Sequence, residues 1–202
     1  MERIAFHLES AGSPETLRSL RSVNKHWRKC VSKLITHLKM TDLEREEFPA
    51  FLQKVKELFS AVQRLDVPVV WMDDECCHLF AVHLPWLKSL ELFWGDAISD
   101  EGLKALAAMP LESLRIYHSR LITDKGMEAL SCTSLKELWL YGANLVTDDG
   151  FRNLVKLSSL EVLRLLYCNR LTRHGLEPLF DKDGLQLFVR FCRRISREIR
   201  IS

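Results

Sequence analysis

Ile98-Ser99-Asp100-Glu101-Gly102-Leu103 recurs as Ile122-Thr123-Asp124-Lys125-Gly126-Met127, as Val146-Thr147-Asp148-Asp149-Gly150-Phe151 and as Leu171-Thr172-Arg173-His174-Gly175-Leu176. The copies start at residues 98, 122, 146 and 171, a period of 24, 24 and 25 residues. Self-similarity at a fixed period in this range marks a solenoid, in which each repeat buries its apolar face against its neighbours. The period also constrains function. A solenoid presents a long curved surface in place of a closed catalytic pocket, so the expected role is to hold another macromolecule.

Upstream of each copy, apolar residues stand at relative positions 1, 4 and 6: Leu87, Leu90, Leu92; Leu111, Leu114, Ile116; Leu135, Leu138, Leu140; Leu160, Leu163, Leu165. Strand side chains alternate faces, so positions 4 and 6 point one way and position 5 the other. This L-x-x-L-x-L order is the leucine-rich-repeat signature and predicts a short strand lining a right-handed α/β horseshoe. After the Asp-x-Gly phrases come Leu103, Leu106 and Ala107, then Met127 and Leu130, then Phe151, Leu154 and Val155. Their i, i+3, i+4 spacing predicts helices with one apolar stripe against the strands. Asp100, Asp124 and Asp148 stand where a carboxylate oxygen is expected to cap the first free amides of those helices. Position 9 is always small: Gly95, Ser119, Ala143, Cys168 and Cys192. That suits a chain bending under the strand, and the two cysteines read as small buried hydrophobes in place of metal or redox groups.

Weaker copies extend the array. Val62, Leu65 and Val67 fit positions 1, 4 and 6, and Asp74-Glu75-Cys76-Cys77-His78-Leu79 mirrors the phrase from Asp100 to Ala105. Ile35, Leu38 and Met40 predict a first strand, followed by an amphipathic helix carrying Phe48, Leu52, Val55, Leu58 and Phe59. Leu187, Val189, Cys192 and Ile195 continue the register at the other end, with no polar capping helix before Ser202. The last layer is therefore expected to be covered by a partner, or the chain to be shorter than its relatives.

The 202 residues are 47% hydrophobic with a formal net charge of +2, which supports one continuous layered core and argues against disorder. No apolar run approaches the roughly 20 residues of a membrane span. The opening Met1-Glu2-Arg3-Ile4-Ala5-Phe6 lacks the apolar core of a secretory signal, and Glu2 and Glu9 interrupt any likeness to a mitochondrial leader. Of six cysteines, Cys76 and Cys77 are adjacent, Cys30 falls in a predicted helix and the rest follow the repeat register. Such spacing points to reduced thiols in a cytoplasmic or nuclear protein, not to disulfides.

Cys76-Cys77-His78 and Asp73-Asp74-Glu75 come nearest to a reactive constellation. Adjacent residues on one helix point in different directions and cannot converge on one atom. A phosphate-binding glycine loop, zinc spacing and a nucleophile elbow are all missing. The chain thus reads as a non-enzyme with no catalytic residue, no cofactor and no metal. Arg190, Arg193, Arg194, Arg197 and Arg200 form a basic cluster near the C-terminus. Near-zero net charge argues against nucleic acid as its partner, because phosphate binding needs concentrated positive charge; docking of an anionic protein is the more ordinary use.

The register also names the strand positions left open to a partner. Position 5 gives Glu91, Arg115, Trp139, Arg164 and Phe188; position 7 gives Phe93, Tyr117, Tyr141, Leu166 and Arg190; position 8 adds Trp94, His118 and Tyr167. Aromatic residues and arginine dominate interface energy, and an exposed apolar stripe of this extent marks a binding site. The partner-binding set is accordingly Phe93, Trp94, Arg115, Tyr117, His118, Trp139, Tyr141, Arg164 and Tyr167. A rival use for the same rings is to pack on each other and hold the strands in register.

Near the N-terminus, Ser13 is an N-cap candidate and Pro14 suits a first helical position. Leu17, Leu20 and Val23 form one stripe, and Trp27, Val31 and Leu34 form a second after a break near Asn24, which predicts two short packed helices. The order Leu17-x-x-Leu20-x-x-Val23-Asn24-Lys25-x-Trp27-Arg28 resembles the second half of an F-box, and the repeats resemble the cysteine-containing leucine-rich-repeat class often fused to it. Proteins of this F-box/leucine-rich-repeat family are substrate-binding subunits of SCF-type (cullin–RING) ubiquitin ligases. Their F-box helices grip a Skp-type adaptor and their repeats present the target. The resemblance implies an F-box-like helical cap over residues 1–34 and a leucine-rich-repeat solenoid over 35–202. Leu17, Leu20, Val23 and Trp27 would face the adaptor, and the aromatic stripe would hold a target protein. The chain departs from the family at its start, where the opening Leu-Pro segment and full first helix are missing and the F-box is shortened. Two alternatives stand beside this reading: a cap that only covers the first repeat, and a non-ligase scaffold or assembly factor within a larger complex.

Overall fold

A computed structural model describes residues 35–40, 43–131, 133–195 and 199–201. Through them strand and helix alternate: β1 (His37–Lys39), a 3-10 turn (Arg45–Glu47) leading into α1 (Phe48–Leu58), β2 (Arg64–Val67), α2 (Asp74–His83), β3 (Ser89–Leu92), α3 (Asp100–Ala107), β4 (Ser113–Tyr117), α4 (Asp124–Leu130), β5 (Glu137–Tyr141), α5 (Asp148–Arg152), a 3-10 turn (Asn153–Lys156), β6 (Val162–Leu166), α6 (Arg173–Phe180), β7 (Gln186–Arg190) and β8 (Ile199–Ile201). The strands form one sheet in chain order, parallel from β1 to β7. Position 4 stacks on itself: Leu90 pairs with Leu114, Leu114 with Leu138, Leu138 with Leu163 and Leu163 with Leu187. Strands lie about 4.8 Å apart while a helix is about 10 Å across, so the stack bends with its sheet on the inner, concave side. In β4, β5 and β6 burial alternates, with positions 4 and 6 sealed against the helices and positions 3, 5 and 7 turned to the open face.

The recurring phrase ties neighbouring repeats together, which differs from the capping role expected of its aspartates. The helix N-caps are Ser99, Thr123, Thr147 and Thr172, whose hydroxyls accept from the amides of Glu101, Lys125, Asp149 and His174. Asp100, Asp124 and Asp148 occupy the next position, and their carboxylates reach forward by a whole repeat. Thr123 donates to Asp100 through its amide at 2.8 Å and its hydroxyl at 2.6 Å. Thr147 does the same to Asp124, at 2.7 Å for both. Thr172 does so to Asp148, at 2.7 and 2.5 Å. Asp74 begins the ladder by accepting from Ser99 and from the Gly102 amide. Each glycine of the phrase is the space for the preceding carboxylate. A Cβ on Gly126 would lie 2.5 Å from Asp100 Oδ1, and one on Gly150 would lie 2.3 Å from Asp124 Oδ1. A local reading could not see this, because each carboxylate and the Ser or Thr that donates to it stand 23 to 25 residues apart.

Other elements follow the sequence with smaller differences. Leu58 is 52% exposed and Val155 41% exposed, so both leave the predicted apolar stripes. At Val155 the helix has already passed into the 3-10 turn, whose three-residue period rotates the side chain outward. The last layer is not left open. β8 folds back antiparallel on β7, pairing Leu187 with Ile201 and Val189 with Ile199, and Ile195, Ile199 and Ile201 pack against the core. The expected two-helix cap of residues 1–34, with Leu17, Leu20, Val23 and Trp27, lies outside the described residues. Among the described residues no helix is long and apolar enough to cross a membrane.

Candidate partner-binding surface

On the open face the rings at positions 7 and 8 join into one band. Phe93 stacks on Tyr117 at 5.3 Å and Trp94 on His118 at 4.8 Å. Both rows then meet Tyr141, at 6.1 Å from Tyr117 and 5.6 Å from His118. The band continues through Tyr167 at 4.8 Å to Phe191 at 5.0 Å, a residue the sequence reading did not select. Its outer edge is open: Trp94, Tyr167 and Phe191 are 40%, 39% and 52% exposed.

The backbone under this band is informative. Position 8 is left-handed in four successive repeats, with φ of +64° at His118, +78° at Gly142, +56° at Tyr167 and +57° at Phe191. Glycine adopts this conformation freely, as at Gly142, whereas a residue with a Cβ is held there at a cost of roughly 1 kcal/mol or more. Three of the four repeats nevertheless carry a ring at this place. Strained positions of this kind gather where a surface is used.

Position 5 carries a second ladder, in which cations and rings alternate. The guanidinium of Arg115 lies 4.1 Å from the Trp139 ring, and that of Arg164 lies 4.2 Å from Trp139 and 4.9 Å from Phe188. Arg200 of β8 closes the series at 4.8 Å from Phe188. The structure thus brings all nine selected residues into two adjoining rows, and the rings also pack on one another across the strands.

Position 3 supplies what the sequence reading missed. Period-2 alternation puts it on the same face as position 5, and it holds Arg64 and Glu137. Arg64 donates to Asp66 at 3.0 Å and to Glu91 at 2.8 Å. Arg115 donates to Glu91 at 3.3 Å and to Glu137 at 3.0 Å. His37 lies 2.8 Å from Asp66, and the Tyr117 hydroxyl donates to Glu91 at 3.3 Å. Burial, followed by the charge of Glu91, pushes the Tyr117 phenol above its ordinary range. Glu91, expected to be exposed, is 6% exposed beneath this network, as is Asp66. The face therefore divides in two. Across β2 to β5 acids and arginines neutralise each other, while the outward positions of β6 and β7 hold Val162, Arg164, Leu166, Gln186, Phe188 and Arg190, with no carboxylate.

The residues nearest to a reactive constellation do not form one. Cys76 and Cys77 are buried in the helix layer at the register of Gly102 and Leu103, and burial pushes the Cys76 thiol up to about 11 and that of Cys77 well above its ordinary value. Cys168 and Cys192 are buried free thiols under the sheet, with the Cys168 amide donating to Cys192 Sγ at 3.3 Å. Among the described residues no group of three His, Cys, Asp or Glu side chains is placed to hold a metal ion.

The family model described as Leucine Rich repeat matches residues 83–107 and 108–131, the two repeats that carry β3 with α3 and β4 with α4. No curated protein matches the chain. Among solved structures it is similar to a chain of the "Crystal structure of Rad7 and Elc1 complex in yeast", at 17% identity and a TM-score of 0.37, covering 89% of this chain and 62% of that one. The chain therefore spans less than two thirds of that protein's length. The alternation of parallel strand and helix defines an α/β leucine-rich-repeat fold. A fold of this class presents an extended concave surface suited to binding another macromolecule.

Proposed function

We propose that the concave face recognises a target protein and that the chain does so as the substrate-binding subunit of an SCF-type ubiquitin ligase, in the cytoplasm or nucleus. The observation that carries target recognition is the set of rings His118, Tyr167 and Phe191 held in left-handed backbone, beside a repeat that uses Gly142 there. Beneath them the buried position-9 residues Ser119, Cys168 and Cys192 seal the turn. The set Phe93, Trp94, Arg115, Tyr117, His118, Trp139, Tyr141, Arg164 and Tyr167 makes up the target-binding surface. The ligase assignment is supported by the F-box-like order of Leu17, Leu20, Val23 and Trp27 within residues 1–34, which would grip the Skp-type adaptor.

A pull-down of the purified chain with the Skp-type adaptor of its own organism tests this, with a complete F-box protein as positive control. A stoichiometric complex that is lost in Leu20→Ser/Trp27→Ser, yet retained in Tyr117→Ala/Trp139→Ala, is the expected result. A folded chain that forms no complex removes the ligase assignment and leaves a recognition module outside such a ligase.

A further inference from the structure

We infer that the C-terminal half of the concave face takes an acidic segment of the target protein, one of whose carboxylates seats on the guanidinium of Arg164. This rests on the reading that the concave face holds a protein. Across β2 to β5 each outward arginine meets carboxylates: Arg64 meets Asp66 and Glu91, and Arg115 meets Glu91 and Glu137. One strand further on, Arg164 has no ion-pair or hydrogen-bond partner among the described residues, and its Nε is shut away from solvent. Both faces of its planar cation are covered, by Trp139 at 4.2 Å and Phe188 at 4.9 Å. The remaining edge of that cation, which carries the Nη groups, meets no acceptor among the described residues.

A guanidinium stacked in this way is held in one orientation, with its planar fork of donors presented along one edge. That arrangement favours two parallel hydrogen bonds to a carboxylate. Charge complementarity selects the same occupant. The outward positions of β6 and β7 carry no acid, and Arg200 adds a second cation against Phe188 at 4.8 Å. The exposed rings of Tyr167 and Phe191 lie alongside and give the neighbouring residues of the segment an apolar bed. A nucleic acid fits less well, because half the face is internally neutralised and the chain carries only +2 overall.

Selection of a random-peptide phage library on the full chain tests the inference, using wild type, Arg164→Gln, Arg164→Lys and Tyr117→Ala/Trp139→Ala, each checked by circular dichroism. Wild type is expected to enrich peptides rich in Asp and Glu. The best of these should bind Arg164→Gln at least about 30-fold more weakly, with Arg164→Lys in between, because the charge survives and the fork does not. Acidic peptides that bind Arg164→Gln as well as wild type overturn the inference. Enrichment of neutral peptides, lost only in Tyr117→Ala/Trp139→Ala, also overturns it while leaving the concave-face reading intact. Selection that fails on wild type and variants alike removes both. Tighter, Arg164-dependent binding of a single-stranded oligonucleotide overturns it in favour of nucleic acid.

Discussion

Alanine in place of Gly126 should destabilise the natural chain yet stabilise one that lacks Asp100. The Asp100 carboxylate accepts from the Thr123 amide at 2.8 Å and hydroxyl at 2.6 Å. Hydrogen bonds to a charged acceptor contribute about 1.5 kcal/mol each at the partly exposed end of their range, so Asp100→Ala should cost about 3 kcal/mol. A Cβ on Gly126 would fall 2.5 Å from Asp100 Oδ1 and 3.3 Å from its Cγ, while the other near atom is the mobile Cδ2 of Leu103 at 3.1 Å. Gly126→Ala must therefore push the carboxylate off both donors. It loses the same 3 kcal/mol and regains about 1 from helix propensity, for a net cost near 2 kcal/mol. In the double variant the space is open and only the propensity gain is added, so the total cost is again about 2 kcal/mol where additivity demands about 5. Urea unfolding of the four proteins by circular dichroism, compared at constant slope, reads this coupling of about 3 kcal/mol directly. Additive costs, within about 0.5 kcal/mol, would refute the account of the phrase as a carboxylate ladder.

Three further outcomes follow from the open face and the first caps. Glu91→Ala leaves Arg64 and Arg115 facing each other without the carboxylate they share; it should cost about 3 kcal/mol and lower the melting temperature by about 6–12 °C, and a drop under about 2 °C would contradict the network. Tyr167→Gly exchanges relief of left-handed strain for lost ring contacts with Tyr141 and Phe191, so stability should stay within about 1 kcal/mol while target binding fails; a loss above about 3 kcal/mol would make the ring structural. Burial pushes the Asp73 carboxyl up but is outweighed by the Cys76 amide and the Arg45 guanidinium, so its folded pKa lies below the ordinary value. Its stabilisation is therefore present above the unfolded value of about 3.9 and lost as pH falls through the lower folded one. Melting curves of wild type and Asp73→Asn should differ at neutral pH and converge toward pH 2, whereas a constant offset would show that the charge plays no part.

The solenoid was legible because its signal is periodic. Leu114, Leu138 and Leu163 stack as their spacing requires, and position 5 faces outward because strand side chains alternate. What escaped the reading was relational. Asp100 looks like a local cap until Thr123 is folded beside it, and nothing within either phrase reports that pairing. Arg64 and Glu137 share a face with Arg115, yet their importance lies in which neighbour carries the opposite charge, which only the register between strands fixes. The turn-back of β8 was hidden for a similar reason: Ile199 and Ile201 fit a strand of either direction. The ring band was readable as a composition, but the left-handed backbone that holds His118, Tyr167 and Phe191 was not.

The proposed binding side of this array is its strand-lined, concave face. It is tested by placing the photo-crosslinker p-benzoylphenylalanine, in cells of the source organism, at Tyr141 or Tyr167 on the strand side and at Lys104 or Glu128 on the exposed helix side. Both strand-side positions should yield one shared adduct, lost when Trp139→Ala is added, and Lys104 and Glu128 should yield none of that species. The same adduct from the helix side in equal yield, or its persistence with Trp139→Ala, would contradict it.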